Sequence, residues 1–568
     1  MKRIALLSIL LIAAAGYVFL QTRTPAPQLA AYMPSGALLY LEAPDFGRLL
    51  RDWDASQVKA DWLGSANYAV FSRSNLFSKL SEVYGQYGDA AGFRPSLKSL
   101  IEIAGADSAL ALYDIRDVEY LYVSRIAESD LLRSPLWAVR PAFEERQAGG
   151  VTFYLRTDAA SKRTVAFAFT KGYLILATRD DLVAQSLELL AGGSNVSIAS
   201  DRWYRDAVAQ APDRGELRMV MNLEPLVKSV YFRSYWVQRN VSTIRPYWTG
   251  VADVKRSAEG ITETRAFLRT PGSAAVANSA MLPGLLTLVP PEAGVYKVSE
   301  IADPAAAAHL IVNKIIGAPE AQSRDWRDAP EAVSPDNRAG SEGDLETRID
   351  EQPLPSDTGL SDSLAAVRNV IDKGGARALL LVQSSSAPGT FVKMPSVIVL
   401  ASATDWDRNS VRSALGDAAG KLWTTSHLGA GWTADIAGRH PVERLGGLGT
   451  LLVGSGGPLL FVANDAPLLA AVLDRAGSPA TSTAFTYAAG VRYQRERADY
   501  DRVTAALDFT SAASGFGFYR PGGAAAPNFF SGNIASLSRV LSKVVEIRVT
   551  EEERGAATMQ TVRYQIEQ

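Results

Sequence analysis

The chain carries one pattern twice, and that constrains its fold more than any single motif. Residues 33–42 read MPSGALLYLE and residues 289–298 read VPPEAGVYKV, setting Pro34 over Pro290 and Tyr40 over Tyr296. The echo continues in order. Gly105-Ala106-Asp107-Ser108-Ala109-Leu110 returns as Gly374-Gly375-Ala376-Arg377-Ala378-Leu379, and Tyr173–Asp180 (YLILATRD) returns as Pro458–Asp465 (PLLFVAND). A period this long means two copies of one domain, because solenoid units repeat every ~20–50 residues. A chain of 568 residues also exceeds what one core supports, since cores stop growing near ~250–300 residues.

The first copy is expected over 31–270 and the second over 288–568, with 271–287 as linker, since that stretch holds Pro271, Gly272, Pro283 and Gly284. In the first copy, strand patterns at 108–113 and 119–124 predict an antiparallel hairpin. Three more strands follow at 151–156, 164–169 and 173–177, then a helix over 182–190. Strands at 217–222, 250–255 and 261–268 close the copy, the last two turning at Ala258-Glu259-Gly260. Short hairpins mixed with helices predict α+β architecture with mainly antiparallel sheets in two tandem copies. The stretch 320–362, rich in Asp, Glu, Pro, Ser and Gly, reads as an acidic mobile loop inside the second copy.

Met1-Lys2-Arg3 precedes an uncharged apolar run from Ile4 to Leu20, about 25 Å long as a helix. Ala13-Ala14-Ala15 would suit signal cleavage, but the run continues through Tyr17-Val18-Phe19-Leu20, which favours an uncleaved transmembrane anchor. Residues 1–20 are then a signal anchor with Lys2 and Arg3 in the cytoplasm, and 21–30 a tether. The bulk of the chain is expected on the periplasmic side of a bacterial inner membrane. Net charge is −2, so a broad basic surface for nucleic acid is missing. Cysteine is absent, which excludes disulfides, thiol nucleophiles and Cys-ligated zinc.

No motif announces catalysis, and no cofactor or metal site is expected. Ser56-Gln57-Val58-Lys59 matches S-x-x-K without companion motifs or a counterpart in the second copy. Gly446-Gly447-Leu448-Gly449 reads as turn glycine because no helix opens behind it. Asp405 in Asp405-Trp406-Asp407 reads as a helix N-cap, and Asp52-Trp53-Asp54 has no equivalent place. One feature occurs in both copies. Residues 225–252 contain no Asp or Glu and carry Phe232, Tyr235, Trp236, Arg239, Arg245 and Trp248. The matching stretch 509–545 is also free of acid and holds Phe518, Tyr519, Arg520, Phe529 and Phe530. Aromatics with arginine compose binding hot spots and membrane interfaces, so these residues are candidates to face a partner or headgroups; a core helix with snorkelling arginines is the competing reading.

The opening Pro34-Ser35-Gly36-Ala37-Leu38-Leu39-Tyr40-Leu41-Glu42, with Gly149-Gly150-Val151-Thr152-Phe153-Tyr154 and the 173–182 segment downstream, resembles exported bacterial proteins grouped as domain of unknown function 3352. The resemblance implies location and architecture and brings no catalytic residues. Three functions are compatible with the sequence: a membrane-tethered envelope scaffold or interaction protein, a carrier or sensor of an apolar or lipid-like ligand between the copies, and an enzyme with an unrecognised polar site. The scaffold is the leading expectation, with an envelope protein or lipid as partner.

Overall fold

The structure, a computed structural model, describes residues 28–65, 68, 72, 75–229, 244–273, 276–316, 362–384, 394–423, 431–447, 449–480, 483–496 and 543–567. The expected anchor 1–20, the acidic stretch 320–361, and Phe232, Tyr235, Trp236, Arg239, Phe518, Tyr519, Arg520, Phe529 and Phe530 lie outside the described residues. Among the described residues, no helix is long and apolar enough to cross a membrane. The chain is a mixture of helices and antiparallel sheet and divides into two compact units. The first comprises residues up to Arg48 with Val83–Asp206, the second Leu49–Glu82 with Ala207 onward.

The first unit contains β1 (Leu39–Pro44), β2 (Asp107–Asp114), β3 (Glu119–Arg125), β4 (Glu144–Ala148), β5 (Val151–Thr157), β6 (Thr164–Thr170) and β7 (Tyr173–Ala177). They pair antiparallel in the order β4-β5-β6-β7-β3-β2-β1. The helix α1 (Asn75–Ala91) enters this unit at Val83 and ends at Gly92, whose φ of 80° suits a glycine stop. Next, α2 (Leu97–Ile103) starts with a capping box in which Ser96 accepts from the Ser99 amide and Ser99 accepts from the Ser96 amide. Then come α3 (Glu128–Arg133) and α4 (Pro135–Ala138), the latter capped by Ser134 with Pro135 in its first turn. These helices cover one face of the sheet, burying Val83, Tyr87, Leu131 and Leu136 against Tyr122, Val165, Phe167 and Leu174. Side chains alternate between the faces of a strand, so Ile175 points to the other face, where α5 (Asp180–Leu190) packs on β6 and β7.

The second unit contains β8 (Leu217–Asn222), β9 (Tyr247–Ser257), β10 (Gly260–Arg269), β11 (Val295–Glu300), β12 (Ala376–Gln383), β13 (Ser396–Ser402), β14 (Gly431–Ala437), β15 (His440–Gly446), β16 (Thr450–Gly456), β17 (Leu459–Ala463), β18 (Tyr487–Val491), β19 (Val544–Arg554) and β20 (Ala557–Ile566). Seven of these repeat the first unit's order as β14-β15-β16-β17-β13-β12-β11. The ladder continues β11-β18-β19-β20-β10-β9-β8. One face of β11–β13 and β17 is covered by α6 (Pro304–Ile311) with its π-helical extension to Ile316, α7 (Asp362–Lys373) and α8 (Arg408–Leu422). The other is covered by α9 (Ala466–Leu473) and the helix Leu282–Thr287, which lies within the stretch read as a linker and buries Leu282 and Leu285. Burial on both faces explains why Ser396–Ser402 is buried at every position.

The pairing of β10 with β20 is symmetric. The hairpin β9–β10 turns between Ser257 and Gly260, and β19–β20 between Arg554 and Ala557, so Gly260 and Ala557 hold the same hairpin position. Gly260 faces Gln565 while Ala557 faces Leu268, and central Thr264 faces Thr561, its own counterpart. This is the register of an isologous interface, here made within one chain.

Several sequence expectations shift. Tyr40 and Tyr296 do hold the same position, each the second residue of its strand. The later echo moves by one residue: Ala177 corresponds to Ala463 and Thr178 to Asn464. The Tyr120 amide donates to Thr178 Oγ1 at 2.9 Å, as the Ser396 amide donates to Asn464 Oδ1 at 2.8 Å. The α8 N-cap is Asp407, not Asp405; its carboxylate accepts from the Asn409 amide at 3.1 Å and from Ser410 Oγ at 2.6 Å. Edge strand β4 carries Glu144, Glu145, Arg146 and Gln147, all exposed, and so offers no apolar alternation to read.

Candidate functional site

The first unit encloses an apolar cavity of about 90 Å³ between its helices and its sheet. Tyr87 and Ala91 of α1, Phe93 and Pro95 of the connection, Ser99, Leu100 and Ile103 of α2, and Pro135 and Leu136 of α4 form the helical wall. Tyr120, Val165, Leu176 and Ala177 form the sheet wall. The Ser96–Ser99 capping box fixes the start of α2 and turns the Ser99 hydroxyl back onto the backbone, where it donates to the Ser96 carbonyl at 2.9 Å. Leu100 remains 40% exposed although it lines the cavity, so the mouth opens beside α2.

The tyrosines differ in how their hydroxyls are held. Tyr122, beneath the helices, donates to Ser108 Oγ at 3.0 Å. Tyr87 reaches the carbonyls of Asp117 and Val118 at 3.4 Å each, and the Arg163 guanidinium lies 5.3 Å from its ring centre. Tyr120 packs edge-on against Tyr87 with ring centres 5.9 Å apart, yet its hydroxyl makes no hydrogen bond among the described residues. Burial pushes all three phenols up; for Tyr120, burial and then the proximity of Tyr87 push it to about 12. The site is therefore neutral and greasy, with one hydroxyl available to a guest.

The same layer in the second unit is packed differently. Strand pairing sets Tyr120, Val165 and Leu176 over Ser396, Leu451 and Val462. Two buried tryptophans occupy that layer. Trp406 Nε1 donates to the Pro458 carbonyl at 3.0 Å, and Trp423 Nε1 to the Ile316 carbonyl at 3.3 Å. Gly447 and Gly449 are glycine for this reason, since a Cβ on either would stand 2.8 or 2.9 Å from the Trp423 ring. Both stand between β15 and β16, where turn glycine is expected, and they also make room for the ring.

The other candidates resolve locally. Ser56 caps the helix Gln57–Leu63, accepting from the Lys59 amide at 3.2 Å, while Lys59 Nζ bonds Asp54 at 2.5 Å. The Ser-Lys spacing thus serves a helix start. Arg245 is exposed, and Trp248 is the extra residue of a bulge, lying between Tyr247, which faces Arg269, and Thr249, which faces Leu268. No group of three or more metal-ligating side chains occurs among the described residues. The equivalent tyrosines both meet a carboxylate: Tyr40 donates to Glu42 at 2.9 Å and Tyr296 to Glu546 at 3.3 Å. Buried phenols satisfied in this way hold the sheet together. Arg218 and Asp253 form a buried two-bond ion pair at 2.9 and 2.8 Å, with the Gly215 amide also donating to Asp253 at 2.8 Å.

No family model matches the chain, and no curated protein matches it. Among solved structures, crystal form I of TP0453 aligns at 11% identity and a TM-score of 0.25, covering 44% of this chain and 82% of that one. Crystal form III of the same protein aligns at 11% identity and 0.26, covering 48% and 90%.

Proposed function

We propose that this protein is a duplicated, membrane-tethered envelope protein that carries or senses a small apolar or lipid-like ligand within its first unit. The cavity supports this reading: an apolar space of about 90 Å³ with an accessible mouth and, at Tyr120, a phenol hydroxyl without a hydrogen bond among the described residues. An engineered apolar cavity of about 150 Å³ takes benzene, so this one suits the few carbons next to the polar head of an acyl or isoprenoid chain. The guest's ester, carboxyl or hydroxyl oxygen would accept from Tyr120. Recurrence of the seven-strand order and the symmetric β10–β20 register support two tandem copies. The run from Ile4 to Leu20 supports the anchor, with the remainder periplasmic. The resemblance to the exported family of unknown function agrees with that location.

The test is photocrosslinking of the full chain in native membranes with a diazirine-bearing fatty acid, followed by peptide mapping. Adducts are expected on Tyr87, Leu100 and Leu136. Ala91→Leu, which fills the space, should remove them while thermal stability holds. Adducts confined to residues 4–20, or unaffected by Ala91→Leu, would favour the scaffold reading instead.

A further inference from the structure

We infer that the first unit docks on a lipid bilayer through the helices around the cavity mouth, so that the guest exchanges directly with the acyl layer. This rests on the cavity reading above and adds the surface from which the cavity is filled. Three large apolar side chains stand exposed there: Tyr84 at 49%, Leu100 at 40% and Leu132 at 50%. They belong to one neighbourhood. Leu100 lines the cavity, Tyr84 donates its hydroxyl to the carbonyl of the cavity residue Pro95, and α3, which carries Leu132, packs against α2. Chain length argues for the occupant. The apolar run ends at Leu20, only eight residues before Gln28, where the described residues of the first unit begin, and eight residues reach no more than about 28 Å. Whatever holds that run holds this unit within reach of its own surface.

The surrounding charge is mixed. Lys98 and Arg133 are exposed, but so is Glu128, and Arg133 pairs with Asp130. Docking should therefore depend on apolar burial and be insensitive to salt, unlike attachment through a basic patch.

Because the chain has no cysteine, single-cysteine labelling gives a clean readout. The full chain in phosphatidylcholine vesicles would carry an environment-sensitive fluorophore at Tyr84→Cys, Leu100→Cys or Leu132→Cys. Val196→Cys, 62% exposed elsewhere in the first unit, is the control. Doxyl groups in the acyl chains should quench the three mouth labels and spare the control, equally at low and high salt. In the Leu100→Cys protein, Leu132→Asp should lower the docked-to-undocked ratio roughly tenfold or more, the size of a leucine transfer, without changing the melting temperature. Quenching of all labels by aqueous iodide alone would overturn the docking. Fatty-acid crosslinking inside the cavity is read separately, so failure of the docking and failure of the cavity reading are distinguishable.

Discussion

The helix-covered faces of the two units share a strand order and differ in what lies between helix and sheet. In the second unit that layer holds Trp406 and Trp423, each with its indole N–H bonded to a carbonyl, and glycines make way for the second ring. In the first unit the corresponding layer is tyrosine-rich and leaves a cavity lined by Tyr120, whose hydroxyl has no hydrogen bond among the described residues. A buried indole contributes dispersion contacts and apolar burial that an empty space cannot. The difference teaches that one unit is packed for stability while the other gives up some packing and keeps room. Two units with one strand order can differ in this way because each carries its own sequence.

The comparison breaks first at Trp423. Trp423→Ala should cost about 4 kcal/mol by denaturant unfolding, the range for a buried aromatic truncated to alanine, and should create fatty-acid crosslinks in the second unit. Loss of stability without new crosslinks would mean that cavity alone does not make a site. Next in size is Arg218. By hairpin position its counterpart is Ala488, and that of Asp253 is Thr550. Arg218→Ala alone should cost about 3 kcal/mol by stranding a buried carboxylate. The double change Arg218→Ala with Asp253→Thr, which copies the other hairpin, should recover most of that loss in a double-mutant cycle. Absence of recovery would show that the two positions are not interchangeable.

A smaller effect concerns alkaline pH. Tyr120 is raised by burial to about 12, so the fold favours its neutral form. Its stabilisation is complete below the unfolded value near 10 and is lost as pH rises from there through 12. Tyr120→Phe should remove on the order of 1 to 2 kcal/mol of that dependence, seen as a flatter profile of unfolding free energy above pH 10. An unchanged slope would mean the phenol is better solvated than its surroundings suggest. The smallest effect is expected for Ala91→Leu, within about 1.5 kcal/mol if the added side chain occupies existing space; a larger loss in calorimetry would mean that the wall cannot accept it.

Much of the strand and helix pattern was legible because the first copy alternates hairpin strands with clear turns, as at Ala258-Glu259-Gly260. The equivalence of Tyr40 and Tyr296 was legible because a proline and a tyrosine kept their spacing. The slip at 173–180 has a physical cause. Strands buried on both faces read as continuous apolar runs, so Leu459-Leu460-Phe461-Val462 gives no alternation with which to tell one register from the next. The bonds from the Tyr120 and Ser396 amides to the Thr178 and Asn464 side chains settle it. The cavity was illegible for another reason: it consists of volume that Ala91, Val165 and Leu136 fail to fill, and no residue type signals that. Nine of the candidate aromatic and arginine residues fall outside the described residues, leaving Arg245 and Trp248, one exposed and one at a bulge.

The symmetric seam of β10 and β20 has a consequence for how the protein tolerates dilution. Two separate subunits meeting edge to edge would exchange partners, and their pairing would weaken as protein became scarce. Here both strands belong to one polypeptide, so their encounter is governed by an effective concentration set by the intervening chain and not by abundance. A scarce protein keeps the seam closed. The two sides are also free to diverge, and they have done so: Arg265, bonded to Glu263 and Gln560, has Val562 as its counterpart.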